Sequence, residues 1–476
     1  MPLDPIDFPV EEYELSNGLQ IRLLQDRSLP VATLYSFFRV GSRNERPGIT
    51  GISHLFEHMM FNGSKKYGPK EFDRRLEQAG GSSNAYTSND VTAYYEDFAS
   101  DALPVVLDLE SDRMASLIID DVSLSRERDV VKEERRYRTD NDIDGMMDEA
   151  LGSLVFLAHP YRWPVIGWMT DIDAITRQDC ERYFRTYYAP NNCTLVLVGD
   201  FERNDALARI RSLYGGIPRG EPLPSVATGE PRQKGERRAV IRYPSQAPAL
   251  LVGYRAPGGH EQDTLVLDLI ETALSSGEGA RLKRALVYEQ ELCVEVSAGF
   301  GWRLDPGLFE ISLKLNPGAD PARAETALQA ELARVCDEEL SEKELDRARN
   351  LVRAHLLRGL ATTNGRAHTI GNMEVMLGSW RAMLDLPDRY NAITAAEVRR
   401  VARRVFAPHM RNVVTLLPGD LENEPATGGA PRRGALGEEP ASPATGGAPR
   451  RGALGEEPAS PSTGGARRRG ALEESA

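Results

Sequence analysis

The sequence predicts an α+β protein made of two similar halves in tandem, followed by a low-complexity tail. Segments with strand-like and helix-like hydrophobic patterns alternate along the chain, and one helix–strand pattern occurs twice. The 476 residues, of which 41% are hydrophobic and 27% charged, are sufficient for two or three domains. We therefore expect a globular protein with a sizeable core.

The first segment of the chain predicts strands. Asn17-Gly18 lies between two apolar stretches within residues 13–25, and this dipeptide favours the tight turn of a hairpin. Residues 31–40 are rich in β-branched and aromatic side chains, which is typical of a buried strand. A hairpin followed by a buried strand is therefore expected.

The segments that follow alternate between helices and strands. Residues 46–48 (Arg-Pro-Gly) break the chain, and Thr50 or Ser53 is expected to cap the helix that comes next. Further patterns predict a second helix, a pair of strands around a polar turn, and one long helix, at residues 69–78, 84–98 and 102–136.

The repeated pattern links residues 175–200 with residues 393–420. Each segment reads as a capped helix, an Ala-Pro break, a turn with Asn, a β-rich strand and a Gly-Asp end. The Ala-Pro breaks, Ala189-Pro190 and Ala407-Pro408, lie 218 residues apart. Two similar halves of about that size follow from this offset.

A polar segment rich in Pro and Gly, residues 215–237, predicts the boundary between the halves. After residue 420 the composition changes to an 18-residue repeat, PATGGAPRRGALGEEPAS, with almost no aromatic or β-branched side chains, which predicts disorder. We accordingly expect a first domain, a linker, a second domain and a disordered tail, at residues 1–220, 221–237, 238–420 and 421–476.

Charge and apolar content argue against several classes of function. The net charge of −13 argues against nucleic acid and anionic lipid as partners, because a net negative surface repels both. The start of the sequence lacks a signal-peptide pattern, and no apolar run of about 18 residues occurs. We therefore expect a cytoplasmic protein that does not span a membrane, although a trimmed export signal would leave the same sequence.

The strongest chemical signal is the motif His54-Leu55-Phe56-Glu57-His58. On a helix, positions i, i+3 and i+4 share one side, so His54, Glu57 and His58 are expected to converge. Two neutral imidazoles are suitable zinc donors, and a nearby carboxylate can take a proton from water activated by the metal. The alternative is a helix with two solvated or core histidines.

A catalytic zinc site needs a third protein ligand from elsewhere in the chain. The candidates are Glu127, Glu133 and Glu134. Glu127 and Glu134 are two helical turns apart and share one side of a helix, whereas Glu133 points elsewhere. Each of them is equally typical of a solvated helix carboxylate, so spacing alone leaves the third ligand open.

The motif and its surroundings resemble the M16 family of inverzincin metallopeptidases, which includes pitrilysin, insulin-degrading enzyme and mitochondrial processing peptidase. The resemblance covers residues 13 to about 420, and it is strongest in the blocks GSRNE, GISHLFEHM, FNGS, GGSSNAYT and the E-x(6)-E element from Glu127 to Glu134. It implies two tandem α/β-sandwich domains of the M16 (LuxS/MPP-like) type.

The resemblance also implies roles for the site residues. His54, His58 and Glu134 would bind one Zn²⁺ per chain, Glu57 would be the catalytic base, and Glu127 would support a zinc-bound histidine. The second half has no histidine within residues 263–271, where a second motif would fall, so no second zinc is expected.

Substrate handling is implied by two further elements. The strand with Asn84, Ala85 and Tyr86 would present its edge to a peptide that binds as an added strand. Arg281 resembles an arginine with which relatives hold substrate. The tyrosine that accompanies this arginine is replaced by Val294, and the nearby Tyr288 lies in a different register.

The sequence therefore predicts a zinc-dependent metalloendopeptidase that hydrolyses extended peptides or unfolded protein segments, with Glu57 as general base. Two alternatives remain open: a non-catalytic or partner-dependent M16-like subunit of a larger assembly, and another zinc-dependent hydrolysis. Relatives often act as dimers, so a homodimer or a heterodimer with a homologous M16 subunit is also expected.

Overall fold

The computed structural model describes residues 8–419 and contains two β-sheets covered by helices. The strands are β1 Glu11–Glu14, β2 Gln20–Gln25, β3 Val31–Phe38, β4 Ser82–Thr87, β5 Thr92–Ala99, β6 Cys193–Gly199, β7 Arg237–Tyr243, β8 Ala249–Arg255, β9 Cys293–Phe300, β10 Leu308–Leu315 and β11 Arg411–Pro418. The predicted tail, residues 421–476, lies outside the described residues.

Fourteen α-helices are described between residues 8 and 419. They are α1 Ile52–Met59, α2 Glu71–Gln78, α3 Leu103–Ser116, α4 Asp121–Arg135, α5 Ile143–Val155, α6 Met169–Ala174, α7 Arg177–Tyr187, α8 Arg203–Tyr214, α9 Asp263–Ser275, α10 Pro321–Asp337, α11 Glu342–Gly359, α12 Thr363–Leu377, α13 Leu386–Ala392 and α14 Ala395–Val405. Within this range, no helix is both long and apolar enough to cross a bilayer.

Five of the six strands of the first sheet have the same order as the five strands of the second, which confirms the prediction of two similar halves. The first sheet has the order β1-β2-β6-β3-β5-β4, and the second has the order β7-β11-β8-β10-β9. In each sheet one pair, β2–β6 or β7–β11, is parallel and the pairs that follow are antiparallel. The strand β9 thus occupies in the second sheet the edge position that β4 occupies in the first.

The repeated segments form equivalent elements. Thr176 and Thr394 each begin a helix with a capping box, and these helices lead into β6 and β11. Both Ala-Pro breaks form a short 3-10 turn before the strand. The matching punctuation noted in the sequence therefore reflects matching structure.

The central strands of the first sheet are buried on both faces, which explains their nearly continuous apolar sequences. In β3, Leu34 packs on the inner side with helices α1 and α3, whereas Tyr35 and Phe37 belong to the core on the outer side. All three side chains are fully buried. A strand of this kind needs a helical layer on each face.

The outer layer of each sheet comes from the other half. Helix α12 packs against β3 and β6 of the first sheet, and α5 packs against β7, β8 and β11 of the second. One hydrophobic cluster accordingly joins Phe37 and Val196 with Ile370 of α12. The two halves are interlocked by this exchange of helices.

The prediction of a single long helix at residues 102–136 was wrong, because the chain forms α3 and α4 with a break between them. Asp120 has extended backbone and its carboxylate accepts hydrogen bonds from the amides of Val122 and Ser123. Asp is a favoured N-cap residue, so it starts a new helix here. The break separates α3 from the helix that bears Glu127 and Glu134.

Candidate active site

The motif residues His54, Glu57 and His58 all lie on α1, as predicted, but the cap of this helix differs from the prediction. Neither Thr50 nor Ser53 caps it: the N-cap is Gly51, with a positive φ of 87°. The carboxylate of Glu45 accepts hydrogen bonds from the amides of Gly51 and Ser53 at 2.8 and 2.9 Å. A carboxylate from outside the helix thus accepts the hydrogen bonds of amides at the helix start, which an N-cap side chain usually accepts.

A close backbone approach fixes the start of α1. A Cβ atom on Gly51 would lie 2.4 Å from the carbonyl oxygen of Ile166, and one on Gly167 would lie 2.3 Å from that of Thr50. Both glycines have positive φ, which other residues rarely adopt. The motif helix is therefore held against the segment before α6.

His54, His58 and Glu134 come together between α1 and α4. Oε2 of Glu134 lies 3.5 Å from Nε2 of His54 and 3.2 Å from Nε2 of His58. Among the described residues these three form the one group of His, Cys, Asp or Glu side chains placed to hold a metal ion, with ligand atoms within 4.8 Å of one another.

This arrangement fits zinc. Two ligand atoms that each lie about 2.0–2.1 Å from a tetrahedral zinc are about 3.3–3.4 Å apart, close to the two distances above. Oε2 of Glu134 is buried, and the Nε2 atoms of His54 and His58 lie beside it. A buried carboxylate oxygen is costly unless a cation or a donor lies next to it, and a metal ion held by these three atoms would supply the cation.

The other two candidate carboxylates of α4, Glu127 and Glu133, lie on different sides of the helix, as their spacing predicts. Oε2 of Glu127 lies 3.7 Å from Nδ1 of His58, on the side of the ring away from Glu134. Arg126 donates a hydrogen bond to the other oxygen of Glu127. Glu133 instead has a side chain that is 71% exposed and pairs with Arg136.

The electrostatics of the site favour a cation between its carboxylates. Burial and the neighbouring His58 lower the pKa of His54 to about 3. Burial acts to lower the pKa of His58 as well, but Glu127 and Glu134 outweigh it and raise that pKa to about 9. Burial opposes ionisation of Glu134, yet His58 and His54 lower its pKa to about 2. Protonated His58 thus provides, between Glu127 and Glu134, the positive charge that a bound metal ion would otherwise provide.

Glu57 is in a different environment from the other carboxylates. Its pKa is raised, chiefly because the carboxyl is buried, while the neighbouring Thr87 and His58 oppose the shift. A carboxyl with a raised pKa is suited to exchanging protons near neutral pH. Thr87 ends strand β4, so this strand runs beside the motif helix.

The sequence did not predict a role for two residues that lie beside the motif, Thr87 and Arg138. Thr87 lies 30 positions after Glu57 in the chain, and no sequence signal paired them. Nε of Arg138 lies 3.1 Å from Oε1 of Glu134, and here the four-residue spacing on a helix was an available signal. Arg138 also lines a cavity of about 780 Å³ together with other residues between Glu133 and Asp148.

Asn84, Ala85 and Tyr86 lie on β4, the edge strand of the first sheet. The strand pairs with β5 on one side, and the amide of Ala85 donates to the side chain of Asn84 at 2.8 Å. Tyr86 points to the outer face of the sheet, where its hydroxyl lies 3.1 Å from Nε2 of His368.

Arg281 lies in the second half and is only 5% exposed. Its guanidinium donates hydrogen bonds of 2.7 and 3.0 Å to the carboxylate of Glu344. Nη1 is buried without an acceptor in the described structure. Val294 and Tyr288, by contrast, are 59% and 51% exposed.

Comparisons with known families match both halves of the chain. Residues 22–166 match the family described as Insulinase (Peptidase family M16). Residues 174–352 match the domain described as Peptidase M16 inactive domain. The match described as an inactive domain thus falls mostly on the second half, where the sequence has no His-x-x-Glu-His motif.

Individual relatives agree with these matches. Zinc protease PqqE of Helicobacter pylori is 28% identical over 412 residues, which cover 86% of this chain and 93% of that protein. A probable mitochondrial-processing peptidase subunit beta of Arabidopsis thaliana is 24% identical over 410 residues, covering 82% and 75% of the two chains.

A solved structure extends the similarity to the whole described fold. The crystal structure of a protease from Helicobacter pylori has a TM-score of 0.83 at 27% identity, and the match covers 86% of this chain and all of that one (100%). The predicted two-domain α/β fold is confirmed by this match. The protein belongs to peptidase family M16.

Proposed function

We propose that the protein is a zinc-dependent metalloendopeptidase that hydrolyses extended peptides or unfolded protein segments. The observation that supports this most is the group of His54, His58 and Glu134 with ligand atoms within 4.8 Å of one another, beside a fourth side chain, the carboxyl group of Glu57. Relatives named zinc protease support the same assignment.

In this proposal each residue of the site has one task. His54, His58 and Glu134 would hold one Zn²⁺, and Glu127 would accept a hydrogen bond from Nδ1 of His58 and so orient the ring. Zinc in such a site supplies a Lewis acid that makes water more acidic and polarises a peptide carbonyl.

Glu57 is proposed as the general base. Its carboxylate would take a proton from the attacking water and later give it to the leaving amine. A raised pKa favours this exchange, because it makes the carboxyl hold the proton more readily between the two steps. Thr87, beside Glu57, would help to fix the orientation of the carboxylate.

The position of β4 at the edge of the sheet is the reason to propose an extended substrate. A peptide that adds to this edge would bind mainly through backbone hydrogen bonds, which tolerate many side chains. Asn84, Ala85 and Tyr86 would form that edge, and the side chain of Asn84 would have to release the amide of Ala85. Arg281 would be a further substrate contact only if its ion pair with Glu344 opened.

The second candidate is a partner-dependent subunit of a larger assembly. It is favoured by Val294, which replaces the tyrosine expected for substrate binding and is 59% exposed. The Arabidopsis relative is named as a subunit. Here a homologous M16 chain would complete the site in a heterodimer, or a second copy of this chain would do so in a homodimer.

We also propose the division into domains at residues 1–220 and 238–420. Residues 216–236 contain neither helix nor strand, which supports a linker at 221–237. In this division the first domain bears the zinc site and the second serves as an inactive support.

The experiment that separates these functions measures cleavage of a mixed peptide library by the purified protein. The peptidase proposal predicts cleavage that stops when zinc is removed by a chelator and returns when zinc is added. Zinc-loaded protein that cleaves nothing alone, but cleaves after a homologous chain is added, would favour the partner-dependent subunit instead. Zinc-loaded protein that cleaves nothing under either condition would contradict both.

A further inference from the structure

Helix α12, which belongs to the second half, lies behind the strand proposed to receive the substrate. The helix covers the outer face of the first sheet, and His368 on it contacts Tyr86 of the edge strand β4. An element of the inactive half thus touches the edge strand of the half that bears the zinc motif.

The seat of α12 on the sheet is tightly defined. A Cβ atom on Gly371 would lie 1.9 Å from Cε2 of Phe37, so the helix approaches the sheet more closely than any larger residue permits. Asn364 donates a hydrogen bond of 2.8 Å to Asp97 and accepts one of 3.0 Å from Tyr35. Close packing and directional bonds together fix the position of the helix.

His368 transmits this position to β4. Its ring centroid is 5.9 Å from that of Tyr35 and 5.8 Å from that of Tyr86. Nε2 lies 3.1 Å from the hydroxyl of Tyr86, a hydrogen bond whose donor depends on the tautomer. Burial lowers the pKa of His368 to about 4, so the ring is neutral at neutral pH.

Strand β4 depends on such contacts because it is an edge strand. Among the described residues β5 is its one ladder partner, and no strand pairs with its other edge. Tyr86 directly precedes Thr87, which lies beside Glu57. A shift of Tyr86 would therefore move the open edge relative to the catalytic carboxyl.

The turn after β4 is also held by the second half. Asp90 accepts a hydrogen bond of 3.1 Å from the amide of Leu304, in the connection between β9 and β10, and one of 2.7 Å from the hydroxyl of Tyr161. Asp90 is only 4% exposed. The hairpin of β4 and β5 is thus anchored at its turn as well as on its outer face.

We propose that His368 is a positioning residue: through Tyr86 it holds the edge of β4 at the distance from Glu57 that an extended peptide needs. This inference rests on the proposed peptidase function with strand addition. It gives the second half a task in substrate binding that requires no metal and no direct contact with the peptide.

The test compares His368→Phe, Tyr86→Phe and the double variant with the wild type. Phenylalanine keeps the ring packing and removes the hydrogen bond, so we expect KM for a peptide of about ten residues to rise roughly 2–10-fold, with kcat changed less than about twofold. Because both substitutions remove the same bond, the double variant should show the effect of one. His409→Phe, at an exposed histidine of the same half, is the control.

Three results would overturn the inference: an unchanged KM in both single variants, additive effects in the double variant, or a fall in kcat with unchanged KM. Zinc content must equal that of the wild type, which excludes damage to the metal site. Binding of a fluorescein-labelled peptide to the variants in a Glu57→Gln background separates this inference from the peptidase proposal. Binding without cleavage by the wild type would contradict the peptidase, while weaker binding after His368→Phe would still support the positioning role and equal binding would overturn it.

Discussion

Glu134 is the side chain that joins α4 to the two histidines of α1, so the zinc assignment depends on it. Glu134→Gln removes the charge and should lower zinc affinity by more than the roughly 10–100-fold expected for an outer partner such as Glu127. Glu133→Gln, one residue away with a side chain 71% exposed, is the matched control and should bind zinc normally. Competitive titration with a chelator measures the zinc affinity of the wild type and of both variants. Equal affinities for Glu134→Gln and Glu133→Gln would contradict the assignment.

A second prediction at this scale concerns Glu271 on α9, whose pKa is raised to about 9 by burial and by the nearby Asp268. The native state therefore holds a proton that the unfolded chain releases above its ordinary pKa near 4.5. The stability that the protein gains from binding this proton is fully present below the unfolded pKa and is lost as the pH rises towards about 9.

In the wild type the free energy of unfolding should therefore decrease between pH about 5 and about 9. In Glu271→Gln this decrease should be smaller by at least about 1 kcal/mol, since one pKa unit corresponds to about 1.4 kcal/mol. Urea denaturation at several pH values measures this. The control Glu338→Gln, with a side chain 61% exposed, should keep the wild-type slope. A slope unchanged in Glu271→Gln would show that the carboxyl titrates normally.

The residues of the site differ in how far the sequence could predict them. Helical spacing was sufficient to bring His54, Glu57 and His58 together, because positions three and four apart share one side of a helix. Glu134 required the family resemblance, since Glu127 and Glu134 share one side of the helix and spacing did not choose between them. Thr87 was missed because its contact with Glu57 depends on how a strand packs on a helix, which spacing within either element does not specify.

At the scale of elements, the contact between α12 and the first sheet is sensitive to one glycine. Gly371→Ala places a methyl group where Phe37 already lies, and overpacking of this kind costs typically about 1–3 kcal/mol. Gly359→Ala on α11 is the control, because its nearest neighbour would be 4.0 Å away. Urea denaturation should show destabilisation of the first variant alone, and equal stability of the two would contradict the close approach.

Element boundaries were predictable where local signals were strong. The capping boxes at Thr176 and Thr394 and the Ala-Pro breaks after them marked both repeated units. The break between α3 and α4 was missed because the apolar pattern continues through it, and only the cap at Asp120 reveals it. The exchange of α5 and α12 could not be predicted, since an apolar face indicates burial without naming the sheet that buries it.

The whole molecule is predicted to fold as one interlocked unit. A fragment of residues 1–220 lacks α12, so Tyr35, Phe37 and Val196 on the outer face of the first sheet would be exposed to water. We expect this fragment to be insoluble or unfolded when expressed alone, and to be recovered in soluble form when co-expressed with residues 221–476. Soluble yield and circular dichroism measure this, and cooperative unfolding of the fragment alone would contradict the prediction.

At this scale the internal repeat predicted two similar halves, and the shared strand order bears this out. The sequence did not reveal how the halves contact each other, because such contacts join residues hundreds of positions apart, for example Tyr86 and His368. We therefore assign the proposed metal site to one half and the support of its proposed substrate strand to the other.

The measurement that tests the central claim most directly determines bound zinc and peptide cleavage in the wild type and in Glu57→Gln. The wild type should contain one zinc per chain and cleave unfolded peptides. The variant should keep the zinc and lose at least about 100-fold of the activity, because a general base typically contributes 10²–10⁴-fold. Full activity in Glu57→Gln, or a wild type that contains no zinc and cleaves nothing, would contradict the account.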